Sequence, residues 1–311
     1  MNKVAILVST YNGEKYFREQ LDSLVKQKDV DHRIIIRDDG SSDSTIDIIK
    51  EYQKENDKIS FYKGGNLGVI KSFLDLCRYA ADTDAEYFAF CDQDDVWDDD
   101  KMIAAVKKLT ASKKKYGDIP LLYYCNMRVV DENLNYKRLT YTPKRVPVPK
   151  TKYSSLSEAM ASGNTFVFNR KLLELINHKN PKWCSMHDSW VFLIACFFGK
   201  TVFDDKPHIL YRQHGNNVSV SKSLNKNFKH YVGRVKELFK KTDEPRYNNA
   251  VNFLECFSDK LKGTDLAEVK KVTEYKKSFL KKLRLITDYK IRGTTWVRDL
   301  SNRFLILTNN F

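Results

Sequence analysis

Over the first hundred residues, short continuous apolar runs alternate with stretches whose apolar positions recur every three to four residues. Residues 4–8, 34–36, 59–62 and 87–91 are runs of the first kind, the pattern of strands buried in a parallel sheet. Between them, Phe17, Leu21, Leu24 and Val25 predict a helix over 14–26. Ile46, Ile48, Ile49 and Tyr52 predict a second, which Ser42 or Asp43 can cap. A third is predicted over 67–81, after the turn Gly64-Gly65-Asn66.

A strand–helix alternation that ends on a fourth strand implies a parallel sheet with helices on both faces. Ligands of such sheets sit beyond the carboxyl ends of the strands. Three of these ends carry polar, turn-forming clusters: residues 9–14, residues 38–43, and Asp92-Gln93-Asp94-Asp95. They are expected to converge on one crevice. Residues 96–215 read as a mixed α/β continuation, with strands over 121–125 and 165–168. An exposed loop is expected over 141–152, where Pro143, Pro147 and Pro149 stand among basic residues. From about residue 219, basic helical patterns run to Phe311. The expected organisation is therefore a domain over 1–218 and a basic helical region over 219–311.

Composition adds little to the fold and more to the partners. A hydrophobic fraction of 42% and a charged fraction of 30% exclude a disordered chain. The net charge is +14, and from Ser221 onward 21 Lys and Arg face only 10 Asp and Glu, so the excess lies in the tail. It favours phosphorylated ligands, an anionic membrane surface or nucleic acid. With no helix-turn-helix signal or RNA-binding aromatic motif, nucleic acid is set aside. Cys77, Cys91, Cys125, Cys184, Cys196 and Cys256 form no Cys-x-x-Cys pair and no zinc spacing, and are expected to be reduced core thiols. The first apolar run is too short for a signal sequence, and no uncharged run is long enough to span a membrane.

Asp92, Asp94 and Asp95 supply hard oxygen ligands at the end of a strand. That suits Mg²⁺ or Mn²⁺, held by one or two carboxylates and by substrate phosphates. The alternative is a solvated acidic turn that caps the following helix. A calcium EF-hand loop is excluded, because its sixth-position Gly and twelfth-position Glu are absent.

The strings Val8-Ser9-Thr10-Tyr11-Asn12-Gly13, Arg37-Asp38-Asp39-Gly40-Ser41-Ser42-Asp43 and Cys91-Asp92-Gln93-Asp94-Asp95-Val96-Trp97, with Asn66-Leu67-Gly68 between, resemble glycosyltransferase family 2 in order and separation. The resemblance covers about residues 3–215. It implies an α/β fold of GT-A type, a doubly wound, mostly parallel sheet, here with a C-terminal basic α-helical extension. It implies that Thr10, Tyr11 and Glu14 hold base and ribose, and that Asp39 contacts the base. A carboxylate can accept the imide N–H shared by uracil and thymine; an Asx turn is the local alternative for Asp38 and Asp39. Gly68 and Lys71 follow the third strand, where Lys71 either pairs with phosphate or stands solvated. Asp92 and Asp94 fall on the donor side and Asp94 and Asp95 on the metal, with the division between ribose and metal left open.

The same resemblance places a general base at Asp188, in Met186-His187-Asp188-Ser189-Trp190, where a helix N-cap is the alternative. The family often has Glu-Asp there; His187 is a departure, and either tunes the base or binds acceptor. Tyr211-Arg212-Gln213-His214-Gly215-Asn216-Asn217 resembles a further family segment. His214 there is a metal ligand, a diphosphate contact or an ordinary loop hydrogen-bonder. Gly163 and Asn164, with His187 and Trp190, fall on the acceptor side. The implied reaction inverts the anomeric centre and needs no covalent nucleophile.

In overall look the chain is most similar to bacterial rhamnosyltransferases of cell-wall and capsular polysaccharide assembly. This implies dTDP-L-rhamnose as donor and a polyprenyl-diphosphate-linked saccharide as acceptor; UDP-glucose, UDP-galactose and UDP-N-acetyl sugars are the alternative donors. A nucleotidyltransferase would want a Gly-rich phosphate loop, and residues 9–14 hold only Gly13. A non-catalytic sugar-binding partner is the third possibility. In the tail, Lys240-Lys241, Lys270-Lys271, Lys276-Lys277 and Lys281-Lys282 alternate with apolar residues, among them Phe279, Leu280, Leu283 and Trp296. That pattern fits a helix lying on the anionic inner face of a cell membrane, which makes the protein cytoplasmic and peripheral. It equally fits a stripe packed on the catalytic domain or on another subunit of a homo-oligomer.

Overall fold

The four apolar runs become neighbouring strands. In the computed structural model, which describes residues 1–142, 146–215 and 243–311, β1 (Lys3–Thr10), β2 (Asp31–Asp38), β3 (Ile59–Lys63) and β4 (Tyr87–Cys91) pair in parallel in the order β3-β2-β1-β4. The helices α1 (Phe17–Val25), α2 (Thr45–Glu55) and α3 (Val69–Ala80) are the crossovers. Ile6, Val8, Ile34, Ile36 and Ala89 of the strands and Phe17, Leu21, Leu24 and Ile49 of the helices are buried in one core. Since β2 and β3 lie on one side of β1 and β4 on the other, the winding reverses between β1 and β4. That reversal opens a crevice at the carboxyl ends of those two strands.

Two helices start later than their periodicity predicts, and tertiary bonds explain both. Tyr16 and Phe17 donate backbone N–H to the Gly13 carbonyl, so residues 14–16 close a turn before α1 begins. Leu67 and Gly68 donate their N–H groups to Asp39, and Gly68 has φ +77°, a left-handed conformation that the helix cannot include.

Beyond β4 the chain forms β5 (Val96–Trp97), α4 (Lys101–Tyr116), β6 (Leu121–Val130), β7 (Tyr136–Leu139), β8 (Val167–Asn169), α5 (Arg170–Ile176), α6 (His187–Phe198) and β9 (Lys200–Arg212). The nine-stranded sheet has the order β3-β2-β1-β4-β8-β6-β9-β5, with β7 beside β6. β8 runs antiparallel to β4 and β6, and β5 and β7 are antiparallel to their partners, whereas β6 and β9 are parallel. The sheet is thus parallel in its N-terminal half and mixed beyond it. The long strand β9 has no strand signature because its register with β6 slips: Cys125 opposes Asp204 and Asn126 opposes Pro207. Asp205 and Lys206 bulge out, and Pro207 cannot donate to the ladder. In the segment expected as an exposed loop, Pro143 lies outside the described residues, Val146 and Val148 are exposed, and Pro147 is buried, its carbonyl accepting from Tyr124 Oη at 2.7 Å.

The chain divides into two units. The sheet unit comprises Met1–Pro147, Ala161–Lys179 and Met186–His214. The second comprises Val148–Met160, Asn180–Ser185 and Gly215–Phe311, so two short earlier segments join the tail. The expected boundary at 218/219 and the Lys240-Lys241 pair lie outside the described residues. The second unit is helical: α7 (Pro245–Phe257), α8 (Gly263–Glu274), α9 (Phe279–Ile286) and α10 (Trp296–Leu307). Phe253, Phe257, Val269, Val272, Tyr275, Leu285 and Leu305 are buried in it. Its buried acids are paired: Glu268 with Lys271 and Lys290, and Asp288 with Lys271. All six cysteines are buried and unbridged. No helix among the described residues is long and apolar enough to cross a membrane.

Candidate active site

The loops after β1 and β2 are laced together by their own side chains. Asp38, fully buried, accepts from the N–H groups of Gly40 and Ser41 on Oδ1, and from Ser41 Oγ and Thr10 Oγ1 on Oδ2. It forms the Asx turn, and Thr10, also buried, supports it. Asn12 Oδ1 accepts from Ser42 N at 2.9 Å, and Gly13 N donates to Thr45 Oγ1 at 2.8 Å. Glu14 accepts from Ser44 N on Oε2 while its own N–H goes to Asp43, a reciprocal pair that holds the start of α2. Thr10 and Glu14 therefore shape this loop from below. Tyr11 keeps its side chain half-exposed, while its main chain exchanges two hydrogen bonds with the Gln93 amide, at 2.8 and 3.1 Å. Gln93 thereby clasps the β1 loop to the acidic loop across the β1/β4 crevice.

Asp39 is buried beside Arg37, which bonds Asp39, Asp75, Ser72 Oγ and the Gly65 carbonyl. Burial works against the guanidinium charge, but Asp39 and Asp75 outweigh it, and the Arg37 pKa is raised. Asp39 also accepts from Leu67 N and Gly68 N, both at 2.8 Å. These bonds and Arg37 take three of the roughly four lone-pair sites of a carboxylate, leaving capacity for one more donor. Lys71 is exposed on the first turn of α3.

The acidic loop assigns its carboxylates different surroundings. Asp94 Oδ2 lies 2.8 Å from His214 Nε2, and the His214 ring packs on Tyr16 at 4.8 Å between centroids. Asp95 is fully buried; Oδ2 accepts from Asn164 Nδ2 and Oδ1 from Arg212 N at 3.1 Å. Arg212 also bonds the Asp94 and Glu132 carbonyls and pairs with Glu19. Asp95 was expected on the metal, yet each of its oxygens already accepts a bond that locks the loop, one to β9 and one to residue 164. Asp92 is half-buried. Its pKa is pushed up to about 7 by burial first, then by the charges of Asp94 and Asp188. Burial, Asp94 and Asp92 likewise drive Asp95 well up. Beneath the loop, Lys101 is fully buried with Nζ 3.0 Å from the Trp97 ring centroid and, among the described residues, no hydrogen-bond partner. Burial holds its pKa down to about 8, against the pull of nearby thiols, Asp95 and Asp92. Three carboxylates crowded in one loop, two of them driven toward protonation, suit an added cation. A carboxylate and an imidazole with substrate phosphates form a donor set for Mn²⁺ or Mg²⁺.

Asp188 stands in the first turn of α6, half-buried. Its Oδ1 accepts from Ser189 N at 2.5 Å and from Ser189 Oγ at 3.2 Å, and Oδ2 has no hydrogen-bond donor among the described residues. The α6 N-cap is Met186, not Asp188. The acceptor-side residues divide. Asn164 is buried against Asp95, and Gly163 is required by His187: a Cβ there would stand 2.6 Å from His187 Nε2. His187 is buried, stacked on Phe73 at 4.1 Å, and both ring nitrogens lack partners among the described residues. Burial lowers its pKa. Trp190 is fully buried in α6. His187 and Trp190 thus fill the protein interior and do not line an open acceptor surface, because α6 is covered on nearly every side.

A second acid–imidazole cluster lies nearby in sequence but is built differently. Asp98, Asp100 and His208 offer ligand atoms within 4.8 Å of one another. Cations of the protein already serve it: Arg128 pairs with Asp98, Lys206 with Asp100 and Lys108 with Asp204. His208 Nδ1 lies 2.9 Å from Asp100 and Nε2 3.7 Å from Asp204. Burial opposes the imidazolium, but Asp204 and Asp100 prevail and raise the His208 pKa, while both carboxylates are lowered. The His208 contribution to stability is therefore complete below about pH 6.5 and is lost as pH rises through its raised value. The two aspartates contribute above about pH 3.9 and lose their contribution as pH falls through their lowered values. The melting temperature is expected to fall by a few degrees as pH rises past the His208 transition. In His208→Gln that fall disappears. An unchanged pH dependence in the variant would refute the ion-pair role.

Sequence reasoning missed the clasps. Gln93 sits inside the acidic motif, and Arg37 interrupts an apolar strand just before Asp38-Asp39; both positions were signals. Arg212 was flagged only as part of the segment that resembles the family, and Lys101 carried no signal, since it reads as an ordinary surface cation until the fold buries it.

Comparison with known proteins completes the picture. Residues 5–176 match the family described as Glycosyl transferase family 2. The chain is 32% identical over 258 residues to the dTDP-rhamnosyl transferase RfbG of Shigella flexneri, covering 78% of this chain and 84% of that protein. It is 29% identical over 234 residues to an uncharacterized glycosyltransferase of Nostoc, covering 70% and 67%. Among solved structures, S. aureus TarS 1–349 in complex with UDP-GlcNAc matches with TM-score 0.53 at 17% identity, covering 98% of this chain and 90% of that one. The mannosyltransferase PcManGT of Pyrobaculum calidifontis, solved with GDP-Man and Mn2+, matches with TM-score 0.53 at 14% identity, covering 99% and 85%. These two share the fold. With the family match, the long relative and the β1/β4 crevice in agreement, this chain belongs to glycosyltransferase family 2 and has the GT-A fold.

Proposed function

We propose that the protein is an inverting glycosyltransferase that moves L-rhamnose from dTDP-rhamnose to a hydroxyl of a lipid-linked saccharide on the cytoplasmic side of the membrane. The observation that carries the reading is the nearness of Asp188 to the acidic loop: a Cβ on Gly163 would stand 3.3 Å from Asp188 Cβ, the next residue, Asn164, bonds Asp95, and among the described residues Asp188 Oδ2 has no hydrogen-bond donor. The RfbG similarity supports the rhamnosyl donor; a UDP-sugar, as in the TarS complex, is the alternative. Tyr11 and Asp39 take the base at the crevice, and Asp92 and Asp94 face the ribose and diphosphate. Asp94 and His214 would hold a divalent cation, which when bound offsets charge on the leaving diphosphate. Asp95 positions that loop. Asp188 Oδ2 accepts the proton of the acceptor hydroxyl as its oxygen attacks the anomeric carbon from the face opposite the nucleotide. The bond to the diphosphate breaks and the configuration inverts.

A panel of dTDP-rhamnose, UDP-glucose, UDP-galactose, UDP-N-acetylglucosamine and GDP-mannose with Mn²⁺ or Mg²⁺ tests this by thermal shift and donor hydrolysis. The largest shift and fastest hydrolysis are expected with dTDP-rhamnose. A larger response to a UDP-sugar reassigns the donor, and no response to any member of the panel defeats the transferase reading.

A further inference from the structure

The second unit carries an apolar face that other described residues leave open. Apart from Met1, the most exposed large apolar side chains among the described residues are Leu280 (76%), Trp296 (75%), Phe279 (73%) and Tyr289 (73%), all within one short stretch of chain. Phe279, Leu280 and Trp296 stand on α9 and α10, which lie side by side and antiparallel: Lys282 Nζ donates to the Leu307 carbonyl at 3.1 Å, and Arg303 Nη1 to the Ile286 carbonyl at 2.8 Å. Leu285, Leu305 and Ile306 point inward. On α10, Trp296, Leu300 and Leu307 point out, and at 100° per residue they fall within about 40° of one another. Single exposed apolar residues are ordinary, but a set spread along two adjoining helices marks a contact surface.

The charge around the face selects the occupant. Residues 275–307 hold nine Lys and Arg against Asp288 and Asp299, a net of +7. Glu274 and Glu244, which pair with Lys277, Lys281 and Lys276, reduce it only to +5. A symmetric dimer would set this surface against its own copy, bringing like charge together. An anionic lipid surface meets both features at once. Acyl chains and the headgroup boundary take Phe279, Leu280, Trp296 and Leu300, with Trp and Tyr at interfacial depth, and the phosphates meet the rim of lysines and arginines. We propose that the α9–α10 face docks the protein on an anionic bilayer. The proposal goes beyond the sugar-transfer reading and does not need it, since vesicle binding is measured without donor or acceptor.

The test is co-sedimentation of the full chain with vesicles of phosphatidylcholine alone and of phosphatidylcholine mixed with phosphatidylglycerol. Binding to the mixed vesicles is expected at low salt, at least about tenfold tighter than to the neutral ones, and weakening as salt rises. Leu280→Ser with Trp296→Ser is expected to weaken it at least about tenfold. Arg284→Glu is expected to remove the preference for anionic lipid. All three positions are exposed, and unchanged circular dichroism with an unchanged donor thermal shift shows that the variants fold. Wild-type protein that ignores anionic vesicles at low salt overturns the proposal. So does a dimer in sedimentation velocity that Leu280→Ser with Trp296→Ser dissociates, since the face then belongs to a second copy.

Discussion

Asp188→Asn is expected to lower kcat by about two to four orders of magnitude, the range for loss of a general base. The amide is nearly isosteric, and its oxygen can still accept from Ser189 N, so the start of α6 keeps its bond. What disappears is the ability of Oδ2 to take a proton. Donor affinity should change little, because Asp188 contributes charge near Asp92 but no bond to the loops that form the donor crevice. The check is steady-state kinetics with acceptor, together with a thermal melt and a donor titration. Turnover within threefold of the wild type would remove Asp188 from the chemistry, and a collapsed melt would assign it to stability.

Asp94→Asn is expected to abolish metal-stimulated turnover, with a loss on the order of a hundredfold or more, and to weaken Mn²⁺ binding by at least as much. Asp94 and His214 present a carboxylate oxygen and an imidazole nitrogen 2.8 Å apart. Replacing the carboxylate removes the charged ligand but leaves a group able to hydrogen-bond the ring. Asp95→Asn is the informative contrast. Its oxygens accept from Asn164 Nδ2 and Arg212 N, and an inserted amide N–H would meet one of those donors. That change should lower stability by about 1–3 kcal/mol, the cost of an unsatisfied buried group, and affect metal affinity less. Manganese binding followed by electron paramagnetic resonance, alongside thermal melts, separates the two. If Asp95→Asn loses the metal and Asp94→Asn keeps it, the division of labour in the loop is reversed.

The first four strands and three helices were legible because each is specified locally. A run such as residues 34–36 has nowhere to go but a buried strand, and Phe17, Leu21 and Leu24 make a stripe wherever they are put. The convergence of three polar loops followed from topology, since parallel strands end on the same side. Less legible were β9, where Pro207 and the polar residues 204–206 erase the alternation, and β5, which is too short to carry a pattern. His187 and Trp190 show the opposite failure. Motif position placed them on the acceptor side, whereas the structure packs both inside, where His187 stacks on Phe73.

What the sequence determined by itself is the parallel half of the sheet, the crevice at its strand ends and the identity of the acids delivered there, because these depend on periodicity and on the order of elements. Apart from the local Asx turn of Asp38, what each acid does was decided only by tertiary structure. Asp38, Asp39, Asp92, Asp94 and Asp95 are the same side chain in similar turns. One builds an Asx turn, one pairs with a buried arginine, one is charge-crowded, one meets a histidine and one locks a loop. The partners that divide the acidic loop, Asn164, Asp188, Arg212 and His214, come from segments up to 120 residues away in the chain. The Asx turn of Asp38 is local and was legible in the sequence, whereas Asp92, Asp94 and Asp95 take their roles from donors and charges that only folding brings within a few ångströms.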